Sequence, residues 1–397
     1  MDGRQNPPQP RSDGESTLDR RRFLTIVGGA TAGLALGSRL AQAANVARRA
    51  ADSVPALQPW TLPDEAPANP LDLARALVGA AVLAPSECNA QPWRFEAEGA
   101  QLRLFPDSLR ALPRLDPDQR DMTMGLGCAL ENLLVAARAW GLQPAVSYFP
   151  SATPRCIAEV TWRAGGPRRD RAMFYAIPQR RTNRRDYDGR GVFAQNRAQL
   201  LSQVPDGVHL SWLDDPRALR GISDLTYEAV HEQVLNRRMQ AEAYKWMRFG
   251  NDARRRGDGV PLDALEISTL SRFMARHYFD PQSWFLRFGA DGLAKQARGA
   301  VRSAGAVALL SVPGASQMAT LMAGQALERI ALKATQLGIA IQPISAPIRI
   351  QIHRAELRRR FGVPGDEPLL LVRFGHARAP DPTPRRSAWM VTAVRNT

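Results

Sequence analysis

From Leu71 to Leu83 apolar side chains recur at helical spacing, and Pro85 ends the run. A polar loop follows, Ser86-Glu87-Cys88-Asn89-Ala90-Gln91-Pro92, and beyond it the period drops to two. Trp93-Arg94-Phe95-Glu96 alternates, as does Gln101-Leu102-Arg103-Leu104-Phe105, which predicts a β-hairpin turning at Glu98-Gly99. The pattern then repeats itself. Residues 127–141 read GCALENLLVAARAWG and residues 324–338 read GQALERIALKATQLG, so that at an offset of 197 six of 15 positions are identical, among them Gly127/Gly324, Glu131/Glu328 and Gly141/Gly338. Leu126, Leu130, Leu133, Leu134 and Ala137 share one helical face, and so do their counterparts Ala323, Leu327, Ile330, Ala331 and Ala334. Each segment closes on a glycine, as helix C-termini do. Two amphipathic helices can resemble one another by chance. A strand-like stretch precedes each (102–105 and 307–311), and this shared order favours duplication. Between about 219 and 256 lies a charge-dense helical region with Tyr227, His231, Tyr244, Trp246 and Phe249, whose aromatics face a core or cover a site as a lid.

The chain has 397 residues, 44% hydrophobic, enough for one large domain or two ordinary ones. Its net charge is +15, from 53 Lys and Arg against 38 Asp and Glu. The basic residues are scattered, without the stripe and interleaved aromatics of a nucleic-acid binder, so no nucleic-acid partner is expected. Cys88, Cys128 and Cys156 are an odd number at spacings that fit no zinc or redox motif. The five histidines are dispersed, and no nucleophile elbow is present. We expect free thiols, no metal and no catalytic side chain.

The first 43 residues read as an address. Asp19-Arg20-Arg21-Arg22-Phe23-Leu24-Thr25 sets adjacent arginines before an apolar stretch to about Gly37, and Ala41-Gln42-Ala43 supplies a small-x-small cleavage pattern. This is the order of a twin-arginine (Tat) signal peptide, and the stretch is short for a membrane span. It implies engagement of the Tat translocation machinery and export to a bacterial periplasm or cell envelope. Residues 44–70, rich in Ala and Pro, form an extended lead-in.

Two segments carry candidate chemistry. In Pro85-Ser86-Glu87-Cys88-Asn89-Ala90-Gln91-Pro92-Trp93, hydroxyl and amide groups offer directional bonds to a polar heterocycle, and the prolines set the path of the chain. In Arg180-Arg181-Thr182-Asn183-Arg184-Arg185, guanidinium groups beside a hydroxyl suit a phosphate. As bare patterns the first is a polar loop and the second a solvated basic turn.

Together these segments resemble the nitroreductase superfamily of flavoenzymes, in its fused, monomeric, Acg-like branch, over about residues 71–391. The loop is similar to that family's P-S-x-x-N-x-Q-P-W signature, and Arg180-Arg181-Thr182-x-Arg184 to its R-R-S/T-x-R element. Phe374-Gly375-His376 with Pro384-Arg385-Arg386 resembles its C-terminal ending, and Asp258-Gly259-Val260-Pro261 part of the fused branch's lid. The resemblance implies FMN as cofactor. Pro85, Ser86, Asn89 and Gln91 would lie at the flavin ring, and Arg180, Arg181, Thr182, Arg184, Arg385 and Arg386 toward the phosphate. It also implies an α+β fold of two fused, related halves forming a pseudo-dimer, with mixed or antiparallel sheets flanked by helices. Residues 71–175 would form the first half and 176–397 the second, with a helical lid insertion at about 219–275. Each motif occurs once, so one flavin site is expected, with its symmetric counterpart filled or unformed, on a monomer. Two functions fit: hydride transfer from a reduced small-molecule donor to an electron-poor acceptor, or flavin sequestration without turnover. Neither the donor nor the acceptor is written in the sequence.

Overall fold

The computed structural model describes residues 59–395 except 214, 267–274 and 276–278. The expected signal peptide, most of the lead-in and part of the lid insertion lie outside the described residues. Helix α1 (Pro70–Ala81) starts at Asn69, whose side chain accepts from the amides of Leu71 and Asp72, with a proline in the first turn. It buries Ala74, Leu77, Val78, Ala80 and Ala81. Strands β1 (Trp93–Glu98) and β2 (Gln101–Pro106) form the expected hairpin, paired from Trp93↔Pro106 to Glu98↔Gln101, with Gly99 at φ +53 in the turn. Helix α2 (Arg120–Ala139), β3 (Gln143–Tyr148) and β4 (Ala158–Arg163) follow. After the arginine segment come β5 (His209–Trp212), α3 (Pro216–Leu235) and α4 (Arg237–Trp246). A two-residue parallel pair, β6 (Met247–Arg248) with β7 (Val260–Pro261), leads to α5 (Leu286–Arg302), β8 (Ala306–Pro313) and α6 (Gln317–Gln336). The chain closes with β9 (Ala340–Ile344), α7 (Gln351–Phe361), β10 (Asp366–Gly375) and β11 (Thr392–Val394).

Two sheets result, in the orders β11-β1-β2-β4-β3 and β5-β8-β10-β9, both flanked by helices. The second sheet is buried on both faces. Along β8, Ala306, Ala308, Leu310 and Val312 join the main core with α2 and α6, while Val307 and Leu309 face Ile222, Leu225 and Val301 on α3 and α5. The strand is therefore apolar without alternation from Ala306 to Leu310, and its one polar side chain, Ser311, is buried and donates to Asp366 at 2.6 Å.

Helices α2 and α6 carry the repeat and cross at its first glycines. A Cβ on Gly127 would fall 2.2 Å from the Leu321 carbonyl oxygen, and one on Gly324 would fall 2.2 Å from the Met124 carbonyl oxygen. Met124 and Leu321 are themselves repeat counterparts, so the contact is reciprocal, as across a two-fold axis. Both helices begin two turns before the glycines that open the repeat. Those glycines are thus interior residues at a point of backbone contact. Gly141 and Gly338 terminate the helices at φ +75 and +67, as expected of C-terminal glycines.

One feature departs from a simple division at residue 175. Strand β11 pairs in parallel with β1 (Phe95↔Thr392), so the tail after β10 leaves the second sheet and completes the first. This exchange carries residues 384–386 past the loop 85–93.

Candidate functional site

The loop after α1 is built on an unusual backbone. Cys88, Asn89 and Gln91 have φ of 51, 50 and 53, left-handed values that side chains rarely adopt. Ser86 Oγ holds the turn by accepting from the Gln91 amide at 2.9 Å. Asn89 Nδ2 donates to the carbonyls of Gly259 (2.9 Å) and Pro384 (3.0 Å), and Asn89 Oδ1 accepts from Arg385 Nη1 at 2.6 Å. Gln91 Nε2 donates to the Gly257 carbonyl (2.7 Å), and Gln91 Oε1 accepts from the Arg386 amide (2.9 Å). The two amides therefore staple three segments together: the loop, residues 257–261 and the C-terminal tail. Asp258 pins the middle segment further, accepting from Arg110 at 2.9 Å and Arg248 at 2.8 Å.

These segments border a cleft that opens to solvent. Pro85, Ser86 and Asn89 form one side, Arg180, Arg181, Thr182 and Arg184 the opposite side, and Thr383 and Arg385 the floor at the tail. Gly259 and Val260, from the segment that resembles the fused branch's lid, also line it. Eight of the ten sequence-derived residues line it. The other two do not: Gln91 is fully buried behind the loop, and Arg386 turns away to donate to the carbonyls of Gln91 and Trp93. Both hold the loop in shape.

The cleft is strongly positive inside. Burial lowers the Arg385 guanidinium to about 9 and Arg181 to about 10, with Arg180 adding to both, and burial lowers Arg184 as well. Arg180 is 3% exposed, donates to the Leu83 carbonyl at 3.0 Å and places Nε 3.3 Å from Glu328 Oε1. Among the described residues Arg184 has neither an ion-pair nor a hydrogen-bond partner, and Arg385 Nε, buried, has no acceptor. Glu328 is fully buried, and desolvation pushes its carboxyl up to about 7 against the pull of Arg180. Burying cations without a matching anion is costly, so the arrangement is one that a bound dianion would relieve.

Pro85, Ser86, Thr182 and Arg184 also wall a second, partly open compartment on the other side of the loop. Met124, Leu327, Pro343 and Leu370 line it, with Glu87, Cys88, Asp121 and Ser345 at one end. The cysteines are free, and burial raises the Cys88 thiol well above its ordinary value.

On the opposite side of the helix pair the symmetric face was expected to be filled or unformed. It is an open depression of about 880 Å³, lined by Met322 and Gln325, the counterparts of Gly125 and Cys128. It has no arginine cluster lacking an anion, because Arg138 (2.8 Å), Arg329 (3.0 Å) and Gln325 (2.9 Å) all bond to Glu131.

Three participants escaped the sequence reading. Trp60, in the Pro-rich lead-in, lines the cleft, donates to the Thr383 carbonyl at 3.0 Å and stacks 4.2 Å from the Arg181 guanidinium. No local signal marks it. Glu328 stood at an identical position of the repeat, which was a usable signal. Asp121 lies two residues into α2, where only tertiary structure turns it toward the second compartment.

No family model matches the chain. A protein of Mycobacterium tuberculosis provisionally named NAD(P)H nitroreductase is 30% identical over 320 residues, which make up 79% of this chain and 88% of that protein. A second from the same organism, named as the NAD(P)H nitroreductase acg, is 28% identical over 340 residues, 82% of this chain and 96% of that protein. Among solved structures, an FMN-dependent nitroreductase of Mycobacterium smegmatis in complex with NADPH shares 18% identity and covers 53% of this chain and 93% of its own, with a TM-score of 0.31. A nitroreductase of Anabaena variabilis shares 12% over 70% and 69% of the two chains, with a TM-score of 0.38. Those scores are too low to carry an argument. The sequence relationship, running through 79% of this chain and 88% of the first relative, does carry one: this chain belongs to the nitroreductase family.

Proposed function

We propose that the protein is an FMN-dependent oxidoreductase that passes a hydride equivalent from a reduced nicotinamide to an electron-poor acceptor such as a nitroarene. The observation that carries this reading is the convergence of Arg180, Arg181, Arg184 and Arg385 on one cleft where, among the described residues, no carboxylate forms an ion pair with Arg184. A phosphate monoester, with three acceptor oxygens and up to two charges, fits that donor set. When bound, the flavin would supply the two-electron chemistry, and the protein's task is to hold, orient and shield it. Arg184 and Arg385 would take the phosphate, and Thr182 and Ser86 offer hydroxyls along the cleft. Arg180 is kept in place by Glu328 and the Leu83 carbonyl. The second compartment shares Pro85, Ser86, Thr182 and Arg184 with the cleft and offers a place beside it where a donor or acceptor could approach, which favours turnover over storage. The stapled segment 257–261 is what favours sequestration.

The full reading includes export directed by residues 1–43 and a monomer in which α2 and α6 supply internally the contact that a dimer would make between subunits. The decisive experiment is on the purified mature protein. It should be yellow, release FMN in near one-to-one ratio on acid treatment, and be reoxidised by a nitroarene after reduction with NADPH. Absence of flavin even after incubation with excess FMN would overturn the assignment. Bound flavin that NADPH never reduces would leave sequestration as the function.

A further inference from the structure

The second compartment has an apolar body and one ionisable end. At that end Arg349 is the central charge, 6% exposed on its side chain. Its Nη2 lies 2.6 Å from Glu87 Oε2 and 3.2 Å from Asp121 Oδ2, and its Nη1 donates to Gln233 at 3.1 Å. One guanidinium thus serves two carboxylates, and the shorter contact goes to Glu87. Behind Asp121, the carboxylate of Asp116 accepts from the backbone amides of Asp121 (3.0 Å) and Met122 (2.8 Å) and adds a third negative group. Among the described residues, the other charged or titratable groups near this end are Arg120 on α2 itself, which also feels the Asp118–Arg354 pair, Arg184 across the compartment and the Cys88 thiol beside Glu87.

We propose that Asp121 is the acid that delivers the proton to an acceptor reduced in this compartment, with Arg349 and Glu87 as positioning residues that aim its carboxyl. The inference rests on the oxidoreductase reading above. Asp121 borders the space an acceptor would occupy and is itself buried, so an acceptor seated there meets a carboxyl that exchanges protons with few waters. Two-electron reduction of a nitroarene needs such a proton: R–NO2 + NAD(P)H + H⁺ → R–NO + NAD(P)⁺ + H2O. The electron pair and one hydrogen come from the reduced nicotinamide, and the proton from the Asp121 O–H goes to the nitro oxygen. The N–O bond breaks, water leaves, and solvent returns a proton to the carboxylate. The electrostatics agree. Burial pushes the Asp121 carboxyl up to about 7, with Asp116 and Glu87 adding to the shift and Arg349 opposing it, so it holds a proton at the pH where it must give one. Glu87 goes the other way: burial works to raise it, and Arg349 outweighs burial and leaves it ionised.

The test uses the full chain loaded with FMN, comparing wild type with D121N and D121E. Wild-type turnover of a nitroarene should fall as the pH rises through the titration of the acid. D121N should be slower by about 10²-fold or more, with that limb of the profile gone, and D121E should recover part of the rate. FMN stoichiometry and the rate of flavin reduction by NADPH should be unchanged in both variants, which separates acid catalysis from a folding or loading defect. A readout independent of turnover is the wild-type-minus-D121N infrared difference of the flavin-free protein at neutral pH, in which the buried Glu328 cancels and the band of a protonated Asp121 carboxyl should remain. If D121N loads FMN and turns over at the wild-type rate, or if wild-type turnover is flat from pH 5.5 to 9, the proposal is wrong whether or not every variant folds. Wild type that binds no FMN instead overturns the oxidoreductase reading from which the proposal starts.

Discussion

Replacing Arg184 by alanine isolates the electrostatic design of the cleft. Among the described residues Arg184 has no ion-pair or hydrogen-bond partner, and burial outweighs the more distant pull of Glu87 and Glu266 and lowers its guanidinium, so the folded protein pays a penalty for holding it. R184A should therefore leave the flavin-free protein at least as stable as wild type. Arg180 differs, because R180A strips Glu328 of its neighbour at 3.3 Å and the Leu83 carbonyl of a donor at 3.0 Å. Breaking a buried pair typically costs about 3–5 kcal/mol. Here the cost should fall below that range, because Glu328, already at about 7, can take up a proton. For ligand binding, a lost charge-assisted hydrogen bond is worth about 1.5–3 kcal/mol. R184A should then weaken FMN by about 10- to 150-fold while changing riboflavin, which lacks the phosphate, by less than about threefold. The assay is titration of the flavin-free protein with each ligand, read by flavin fluorescence, alongside thermal unfolding without ligand. The wild-type preference for FMN should also shrink with added salt, as expected for an ionic contact. An equal loss for FMN and riboflavin, or a destabilised flavin-free R184A, would show that Arg184 supports the fold and does not take the phosphate.

Other consequences can be checked separately. In G324A the new methyl group would press on the Met124 carbonyl at 2.2 Å, so the cost should reach or exceed the usual overpacking range of about 1–3 kcal/mol; G292A in α5, where nothing lies within 4 Å, should be neutral or slightly stabilising by chemical denaturation. Glu328 keeps its proton to about 7 in the folded protein but only to its ordinary carboxylate value when unfolded, so its contribution is full at low pH and lost as pH rises through 7. E328Q should remove on the order of 3 kcal/mol of that decline, measured as unfolding free energy at pH 5 and 8. N89A deletes the bonds to Gly259, Pro384 and Arg385, and hydrogen exchange at 257–261 should accelerate without global unfolding. Light scattering at micromolar concentration should give the mass of one chain.

The parts legible in the sequence share one property: their signals are local. The hairpin at Glu98-Gly99 shows in a period of two, and the helices ending at Gly141 and Gly338 show in a period of 3.6 and a shared glycine. The two motifs brought seven of the ten named residues to one cleft, because residues within a tight loop or a short turn are positioned by their own backbone, and Arg385 of the C-terminal tail joins them there. Where the sequence reading fell short, the cause was contact between segments far apart in the chain. Gln91 and Arg386 carry the right chemistry, yet each finds a partner about 300 residues away and is spent on it. The parallel pairing of β11 with β1 and the placement of Trp60 over Arg181 leave no local periodicity to read. The same holds for charge: an arginine looks identical in sequence whether a carboxylate such as Glu328 lies within ion-pair distance or none does. Only packing, which decides what is desolvated beside what, distinguishes Arg180 from Arg184 and raises Asp121 above an ordinary surface carboxylate.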